Sequence, residues 1–176
     1  MSKTLSILFL EDSPEDAGIA VRALEAAGYE CRWDRVETRK DFLERLLSPD
    51  YDLVISDFKL PSFDGLAAIK LFVEYGFDIP FILVSGALGE EAAVESLRAG
   101  ATDFVLKDKL FRLPQVVERA LKAAEEDTDV KAATPNVGKH RSERIGLTLR
   151  KVGTLRIVPD AEDQVLQQES GNRVHQ

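Results

Sequence analysis

The sequence contains very few of the residue types that build disulfides or zinc sites. Its 176 residues include one Cys and two His. The single Cys31 cannot form an internal disulfide, and its apolar surroundings favour a packed side chain over a nucleophile. No zinc-finger pattern can be assembled from this set. This composition is typical of a protein from a reducing compartment.

Long apolar runs are missing as well. No stretch approaches the roughly 20 apolar residues that a helix needs to cross a bilayer. The first apolar run, residues 5–10, leads directly into Glu11 and Asp12 and has no small-residue cleavage site behind it, so it does not resemble a signal peptide. We therefore expect a cytoplasmic protein without membrane contact.

Basic charge is scarce through most of the chain. Residues 1–126 carry 15 basic and 24 acidic side chains, whereas residues 127–176 carry 8 and 7. The acidic excess should repel a phosphate backbone, and the scattered basic residues of the last segment form no basic face. Nucleic acid is therefore disfavoured as a partner.

Short apolar runs alternate with helical patterns through residues 4–126. The predicted strands are residues 5–10, 31–36, 53–56, 81–84 and 103–106. Helices should start at the Ser13-Pro14 and Thr38 caps and cover 66–75, 90–99 and 113–126 in the second half. In the first helix, Ile19, Ala20, Ala23, Leu24 and Ala27 form the predicted inner stripe. Five βα units predict an α/β protein with a parallel sheet covered by helices on both faces.

Polar residues follow the ends of four predicted strands. They are Glu11 and Asp12, Asp57, Ser85, and Lys107. The carboxyl ends of parallel strands meet at one edge of the sheet, so we expect these side chains to lie together. Three clustered carboxylates would repel unless a hard divalent cation such as Mg²⁺ lay between them. A Ser hydroxyl and a Lys ammonium could bind phosphoryl oxygens, which favours Asp57 as acceptor and Glu11 with Asp12 as metal ligands.

Simpler interpretations exist for each of these residues. An Asp after a strand is commonly a cap or turn residue, and a single Lys is commonly a solvated surface group. Phe104, near the end of the fifth strand, has the position of an ordinary core aromatic. Glu15 and Asp16 are interpreted as first-turn charges that the helix dipole favours, with no chemical task.

Taken together, the motifs resemble the response-regulator receiver family of two-component signalling. The resemblance covers residues 4–126 and rests on Glu11-Asp12, on residues 57–65 with Pro61 and Gly65, and on residues 85–87 and 100–107. It implies a flavodoxin-like, doubly wound, five-stranded parallel sheet with strand order 2-1-3-4-5.

The resemblance also implies roles for individual residues. Asp57 would accept a phosphoryl group from the phosphohistidine of a sensor histidine kinase or a histidine phosphotransfer protein. The backbone carbonyl of Lys59 would complete the Mg²⁺ site that Glu11, Asp12 and Asp57 form. Ser85 and Phe104 would move together as a switch when the phosphoryl group arrives, while Lys107 would pair with it.

One position departs from the family pattern. The family usually has Pro, often with a cis bond, directly after the Lys, whereas Lys107 is followed by Asp108. Because a non-proline cis peptide costs about 3 kcal/mol, we expect a trans and more mobile loop at this point.

The remaining residues, 127–176, are predicted to be a largely flexible tail. They are too few for a usual winged-helix or cyclase domain, and alternating residues predict at most a short hairpin at about 147–158. We therefore predict a stand-alone receiver at 4–126. Beyond taking a phosphoryl group from a donor and losing it slowly, it would not be an enzyme.

Such a receiver would act by changing its affinity for a downstream protein or for a second copy of itself. The alternative is a module with the receiver fold that interacts or dimerises constitutively. A flavin-binding protein of the same fold is disfavoured, because the acidic strand ends would repel a cofactor phosphate.

Overall fold

The computed structural model describes residues 3–133 apart from positions 49, 87 and 88. Ala87, the predicted hairpin at 147–158 and the remainder of the predicted tail from 134 onward lie outside the described residues. The elements are β1 Lys3–Leu10, α1 Pro14–Ala26, β2 Tyr29–Val36, α2 Arg39–Leu46, β3 Leu53–Asp57, α3 Gly65–Glu74, β4 Phe81–Ser85, α4 Glu90–Ala99, β5 Asp103–Leu106, a 3-10 segment Lys107–Arg112, and α5 Leu113–Ala133.

The strands form one parallel sheet in the order β2-β1-β3-β4-β5. This confirms the predicted α/β fold and its 2-1-3-4-5 order. Within the sheet Asp57 lies opposite Val84, and Ser85 lies opposite Leu106. The carboxyl ends of β1, β3, β4 and β5 therefore share one edge, which positions the polar residues that follow them.

Apolar residues cover both faces of the sheet, as alternation along the buried strands requires. In β1, Ile7 and Phe9 join a cluster with α1 and α5, while Leu8 and Leu10 join a cluster with α2 and α3. All five residues of β3 and all five of β4 are buried. The central strands are thus fixed from both sides, so the residues at their ends are rigidly placed.

The helix starts follow the capping residues of the sequence. The Ser13 hydroxyl accepts a hydrogen bond from the Asp16 amide at 3.2 Å, and the Thr38 hydroxyl accepts one from the Asp41 amide at 3.1 Å. Asp64 caps α3 by accepting from the Ala67 amide at 2.7 Å. These caps satisfy backbone donors that the first helical turn leaves free.

The predicted inner stripe of α1 is confirmed at Ala20 and Leu24 and is wrong at Ile19 and Ala27, which are exposed. Ile19 is 44% exposed, and the buried residues are Ala17, Ala20, Val21 and Leu24. The predicted and the observed stripes both consist of apolar residues at helical spacing, so periodicity alone cannot choose between them. The observed phase places the Asp16 side chain near the site edge of the sheet, where it contacts Lys107.

Gly65 permits a close approach between α3 and the end of β3. A Cβ at this position would lie 2.7 Å from the carbonyl oxygen of Asp57 and 2.8 Å from the Leu83 side chain. Any larger residue would push α3 away from Asp57.

The last helix runs to Ala133, beyond residue 126 where the sequence analysis ended it. Across the described residues, no helix combines the length and the apolarity that a membrane span requires.

Candidate functional site

Three carboxylates meet at the edge of the sheet. Glu11, Asp12 and Asp57 each offer an oxygen, and these oxygens lie within 4.8 Å of one another. Glu11 is 4% exposed and Asp57 is 8% exposed, whereas Asp12 is open to solvent. Buried carboxylates at this spacing favour a compensating cation, and an all-oxygen set is the kind that hard divalent ions prefer.

The Lys107 ammonium contacts two of these carboxylates and the side chain of Asp16. Its Nζ donates to Asp57 Oδ2 at 2.9 Å, to Glu11 Oε2 at 3.2 Å and to Asp16 Oδ2 at 2.6 Å. Burial alone would lower the pKa of Lys107, but hydrogen bonds to Asp16 and Asp57 and the charge of Glu11 outweigh it, so the pKa is raised. Lys107 therefore stays charged beside Asp57 over the physiological range.

Asp16 was missed by the sequence analysis, which gave it no chemical task. A usable signal was present, since Asp16 stands one helical turn before Ala20 on the buried stripe of α1. A residue at that spacing lies on the face that meets the sheet. Its role as a partner of Lys107 also needed the phase of α1, which the sequence left open.

Backbone contacts fix the carboxylates further. The Ser13 amide donates to Glu11 Oε1 at 3.0 Å, and the Lys59 amide donates to Asp57 Oδ1 at 3.2 Å. Both oxygens of Asp57 are thus engaged, one by Lys59 and the other by Lys107. Such contacts hold the carboxylate in one orientation.

Arg35 was also missed. This residue of β2 donates from Nη1 to the carbonyl oxygens of Glu11 and Asp12 at 2.8 and 3.2 Å, and it pairs with Glu37 at 2.5 Å. Arg35 thereby ties the loop after β1 to the neighbouring strand. Its sequence position gave no sign of this, because the contacts go to backbone atoms.

Burial raises the pKa of Glu11 from its ordinary value of 4.5 to about 7, and the charge of Asp57 adds to the rise. The Ser13 amide and Lys107 oppose it without cancelling it. In the absence of metal, the side chain of Glu11 therefore exchanges its proton near neutral pH.

This shift predicts that Glu11→Gln stabilises the metal-free protein at pH 8. Folded Glu11 keeps its proton up to about pH 7, whereas the unfolded group loses it near 4.5. The folded state therefore binds more protons between these values, and stability falls as pH rises through them. Replacing the Glu11 carboxyl group should raise the free energy of unfolding by about 1–3 kcal/mol at pH 8 and by little at pH 4.5. Urea unfolding with a chelator present would measure this, and an equal gain at both pH values would contradict it.

The two predicted switch residues lie on neighbouring strands. Ser85 is 2% exposed at the end of β4, one residue beyond the Val84 that pairs with Asp57. Phe104 is half-buried on β5 opposite Leu83, and it packs against the cluster on the α2 and α3 face. Ser85 thus directly follows the residue that pairs with Asp57, and Phe104 lies on the next strand.

No cis peptide bond occurs among the described residues. The chain after Lys107 therefore continues in trans through Asp108, as expected, and forms the 3-10 segment. This segment and α1 border a cavity of about 80 Å³ beside Asp57, lined also by Phe9, Ala17 and Leu110.

Fold and site together define the class of protein. The family model of the response regulator receiver domain matches residues 7–120. The chain belongs to this family, whose members are signalling modules of two-component systems. The resemblance of the sequence motifs to this family predicts the phosphoryl acceptor at the acidic edge of the sheet described above.

Curated relatives are larger regulatory proteins. The chain is 35% identical over 115 residues to the swarming motility regulation protein RssB of Serratia marcescens, a match of 65% of this chain and 51% of that protein. It is 32% identical over 128 residues to the C4-dicarboxylate transport transcriptional regulatory protein DctD of Rhizobium meliloti, covering 71% of this chain and 26% of that protein. The match thus spans about half of the first relative and a quarter of the second.

Solved structures give the same fold. A receiver domain of a signal transduction histidine kinase from Syntrophus aciditrophicus aligns at TM-score 0.58 and 32% identity, covering 68% of this chain and 91% of that one. A receiver domain of a Luxo repressor protein from Vibrio parahaemolyticus aligns at TM-score 0.64 and 25% identity, covering 73% and 98%.

Proposed function

We propose that this chain is a phospho-accepting receiver of a phosphorelay, in which Asp57 takes the phosphoryl group of a sensor histidine kinase or a histidine phosphotransfer protein. The observation that carries the proposal is the contact of Lys107 Nζ with Asp57 Oδ2 at 2.9 Å, inside a cluster of carboxylates. A carboxylate held beside a fixed cation can attack phosphorus while the cation neutralises the charge that develops.

The carboxylates of Glu11, Asp12 and Asp57, with the carbonyl of Lys59, would hold Mg²⁺. Their oxygens lie within 4.8 Å of one another, which fits a small ion that keeps several waters. When bound, the ion would neutralise charge on the phosphoryl oxygens.

The reaction forms one bond and breaks one. An Asp57 carboxylate oxygen attacks phosphorus, its P–O bond forms, and the P–N bond to the donor histidine breaks with its electron pair on nitrogen. Lys107 then pairs with a phosphoryl oxygen, and this charge-assisted bond is among the strong ones. Slow hydrolysis by water returns phosphate and the Asp57 carboxylate. No other turnover is proposed.

A small phosphodonor tests this directly. With Mg²⁺ and acetyl phosphate, the protein should gain one phosphoryl group, detected by intact mass, and a chelator should suppress the gain. A protein that gains none, or that gains the same amount with the chelator, would refute the proposal.

We further propose that Ser85 and Phe104 carry the change to the surface made by α4 and β5. A phosphoryl oxygen on Asp57 would offer an acceptor to the Ser85 hydroxyl, and movement of Ser85 would leave space for Phe104 to turn inward. Val94 and Leu97 of α4 are 42% and 41% exposed, which provides apolar area for a downstream protein or a second copy.

Beryllofluoride, a phosphoryl mimic, should therefore change amide hydrogen exchange in α4 and β5. The expected change is local, since the phosphoryl contacts reach β4 and β5 and leave the distant edge strand β2 alone. Hydrogen exchange measured by mass spectrometry with and without bound mimic would report it. Equal exchange in α4 and β5 would instead favour the alternative, a constitutive interaction or dimerisation module whose apolar α4 face needs no phosphate.

We propose residues 4–126 as the receiver and residues 127–176 as its tail, in a protein that works in the cytoplasm. The formal charge of −8 supports a protein partner over nucleic acid.

A further inference from the structure

Asp16 is a charged residue at the site, and the phosphoryl transfer proposed above gives it no role. Its Oδ2 lies 2.6 Å from Lys107 Nζ, closer than Asp57 Oδ2 at 2.9 Å and Glu11 Oε2 at 3.2 Å. Asp16 therefore forms an ion pair with the same Lys107 ammonium that contacts the Asp57 carboxylate. This pair is stabilising, because a carboxylate and an ammonium attract each other at this distance even when partly hydrated.

Asp16 also stands close to where new charge would arrive. Its Oδ2 and Asp57 Oδ2 touch the same nitrogen, so the distance between them cannot exceed 5.5 Å, the two contacts taken end to end. A phosphoryl group on Asp57 adds negative charge within this range. Like charges at such a separation repel, and the low exposure of Asp57 weakens the screening by solvent.

We propose that Asp16 is a positioning residue that competes with the phosphoryl group for Lys107 and so restrains phosphorylation of Asp57. This inference rests on the proposed function. Before phosphorylation, Asp16 holds the Lys107 ammonium on the α1 side of the site. When the phosphoryl group forms its bond to Asp57, Lys107 turns toward the phosphoryl oxygens, and Asp16 loses its partner while facing a new negative group.

The consequence is a site that is harder to phosphorylate than one without the Asp16 charge. Forming the phosphorylated state must weaken the shortest ion pair of Lys107 and bring two negative groups together. Both effects oppose the transfer, and both disappear when residue 16 is neutral. The same charge should weaken the binding of an anionic phosphoryl mimic.

Asp16→Asn tests the charge while keeping an oxygen that can accept from Lys107. The matched control is Glu15→Gln, which removes the same charge from the adjacent, exposed residue of the same helical turn. At low ionic strength and saturating Mg²⁺, Asp16→Asn should be phosphorylated by acetyl phosphate about fivefold faster than wild type, and the gain should shrink to about twofold in 1 M salt. Glu15→Gln should remain within about 1.5-fold of wild type.

Two further measurements do not depend on the reaction. Asp16→Asn should bind beryllofluoride several-fold more tightly than wild type, and Glu15→Gln should not. In metal-free protein, the Lys107 ammonium signal in NMR spectra should shift in Asp16→Asn and stay in place in Glu15→Gln. An unshifted signal in Asp16→Asn would overturn the ion pair and the inference.

Asp16→Ala separates competition from simple anchoring. It removes both the charge and the accepting oxygen, so competition predicts a rate at least equal to wild type. If Asp16 instead served to hold Lys107 ready for the reaction, Asp16→Ala would be slower and Asp16→Asn unchanged, which would overturn the inference. A wild type without any phosphoryl gain would refute the proposed function and the inference together, whereas a phosphorylated wild type with an unchanged Asp16→Asn rate would refute the inference alone.

Discussion

Asp57→Asn is expected to abolish the phosphoryl gain from acetyl phosphate. The amide that replaces the carboxylate has nearly the same shape but has no anionic oxygen with which to attack phosphorus. Its oxygen can still accept from Lys107 or from the Lys59 amide, which contact the native side chain at 2.9 and 3.2 Å. The variant should therefore fold normally and lose the reaction, to the limit of detection by intact mass.

Asp108→Asn is the matched control for this loss, since it exchanges the same two groups at an exposed position beside Lys107. It should be phosphorylated like wild type. Should Asp57→Asn gain the same mass as the wild type, the acceptor would be another residue. Unfolding curves of both variants would show whether a lost reaction came from a lost fold.

The grouping of Glu11, Asp12, Asp57 and Lys107 at one place could be predicted because the topology brings them together, whereas their roles stay predictions. Each stands at or just after the carboxyl end of a strand, and the ends of parallel strands converge whatever the details of side-chain packing. Glu11, Asp57 and Lys107 are indeed in mutual contact through the Lys107 ammonium. The strand order was predicted from the family resemblance, and the observed order of the strands in the sheet confirms it.

The contacts of Asp16 and Arg35 could not be predicted in the same way. Asp16 reaches Lys107 across 91 positions of sequence, and the pair depends on the rotation of α1 about its axis. The same rotation leaves Ile19 exposed, although its apolar side chain was expected to be buried. Arg35 binds carbonyl oxygens, which every residue has, so residue types carry no signal for such a contact.

These two residues have opposite consequences for the carboxylates around Asp57. Arg35 fixes the backbone of Glu11 and Asp12 from the side of β2 and so orders the loop that is proposed to hold the metal. Asp16 adds a fourth negative charge and binds the cation that a phosphoryl group would need. On the proposed function, the site would therefore be ordered before phosphorylation and electrostatically opposed to it, which is the balance expected of a switch that should stay off without its donor.

Asp12→Ala is expected to weaken Mg²⁺ binding at least tenfold. Asp12 is the exposed member of the three-carboxylate cluster, and its carboxylate lies within 4.8 Å of oxygens from Glu11 and Asp57. A divalent ion at this place would lose one of its few anionic ligands, and Coulomb attraction at ligand distance is large even with partial solvent screening. Isothermal titration calorimetry with MgCl₂ measures the affinity directly, and circular dichroism would confirm that the exposed substitution leaves the fold intact.

Glu15→Ala is the control for this substitution, because it removes an exposed carboxylate three residues further along the chain. If only the loss of negative charge mattered, Mg²⁺ binding would weaken equally in both variants, and added salt would reduce both effects. A ligand role predicts a loss confined to Asp12→Ala that persists at high salt, because a direct contact is screened far less than a distant charge. Equal affinity of Asp12→Ala and wild type would remove Asp12 from the metal site and leave Glu11 and Asp57 as its carboxylates.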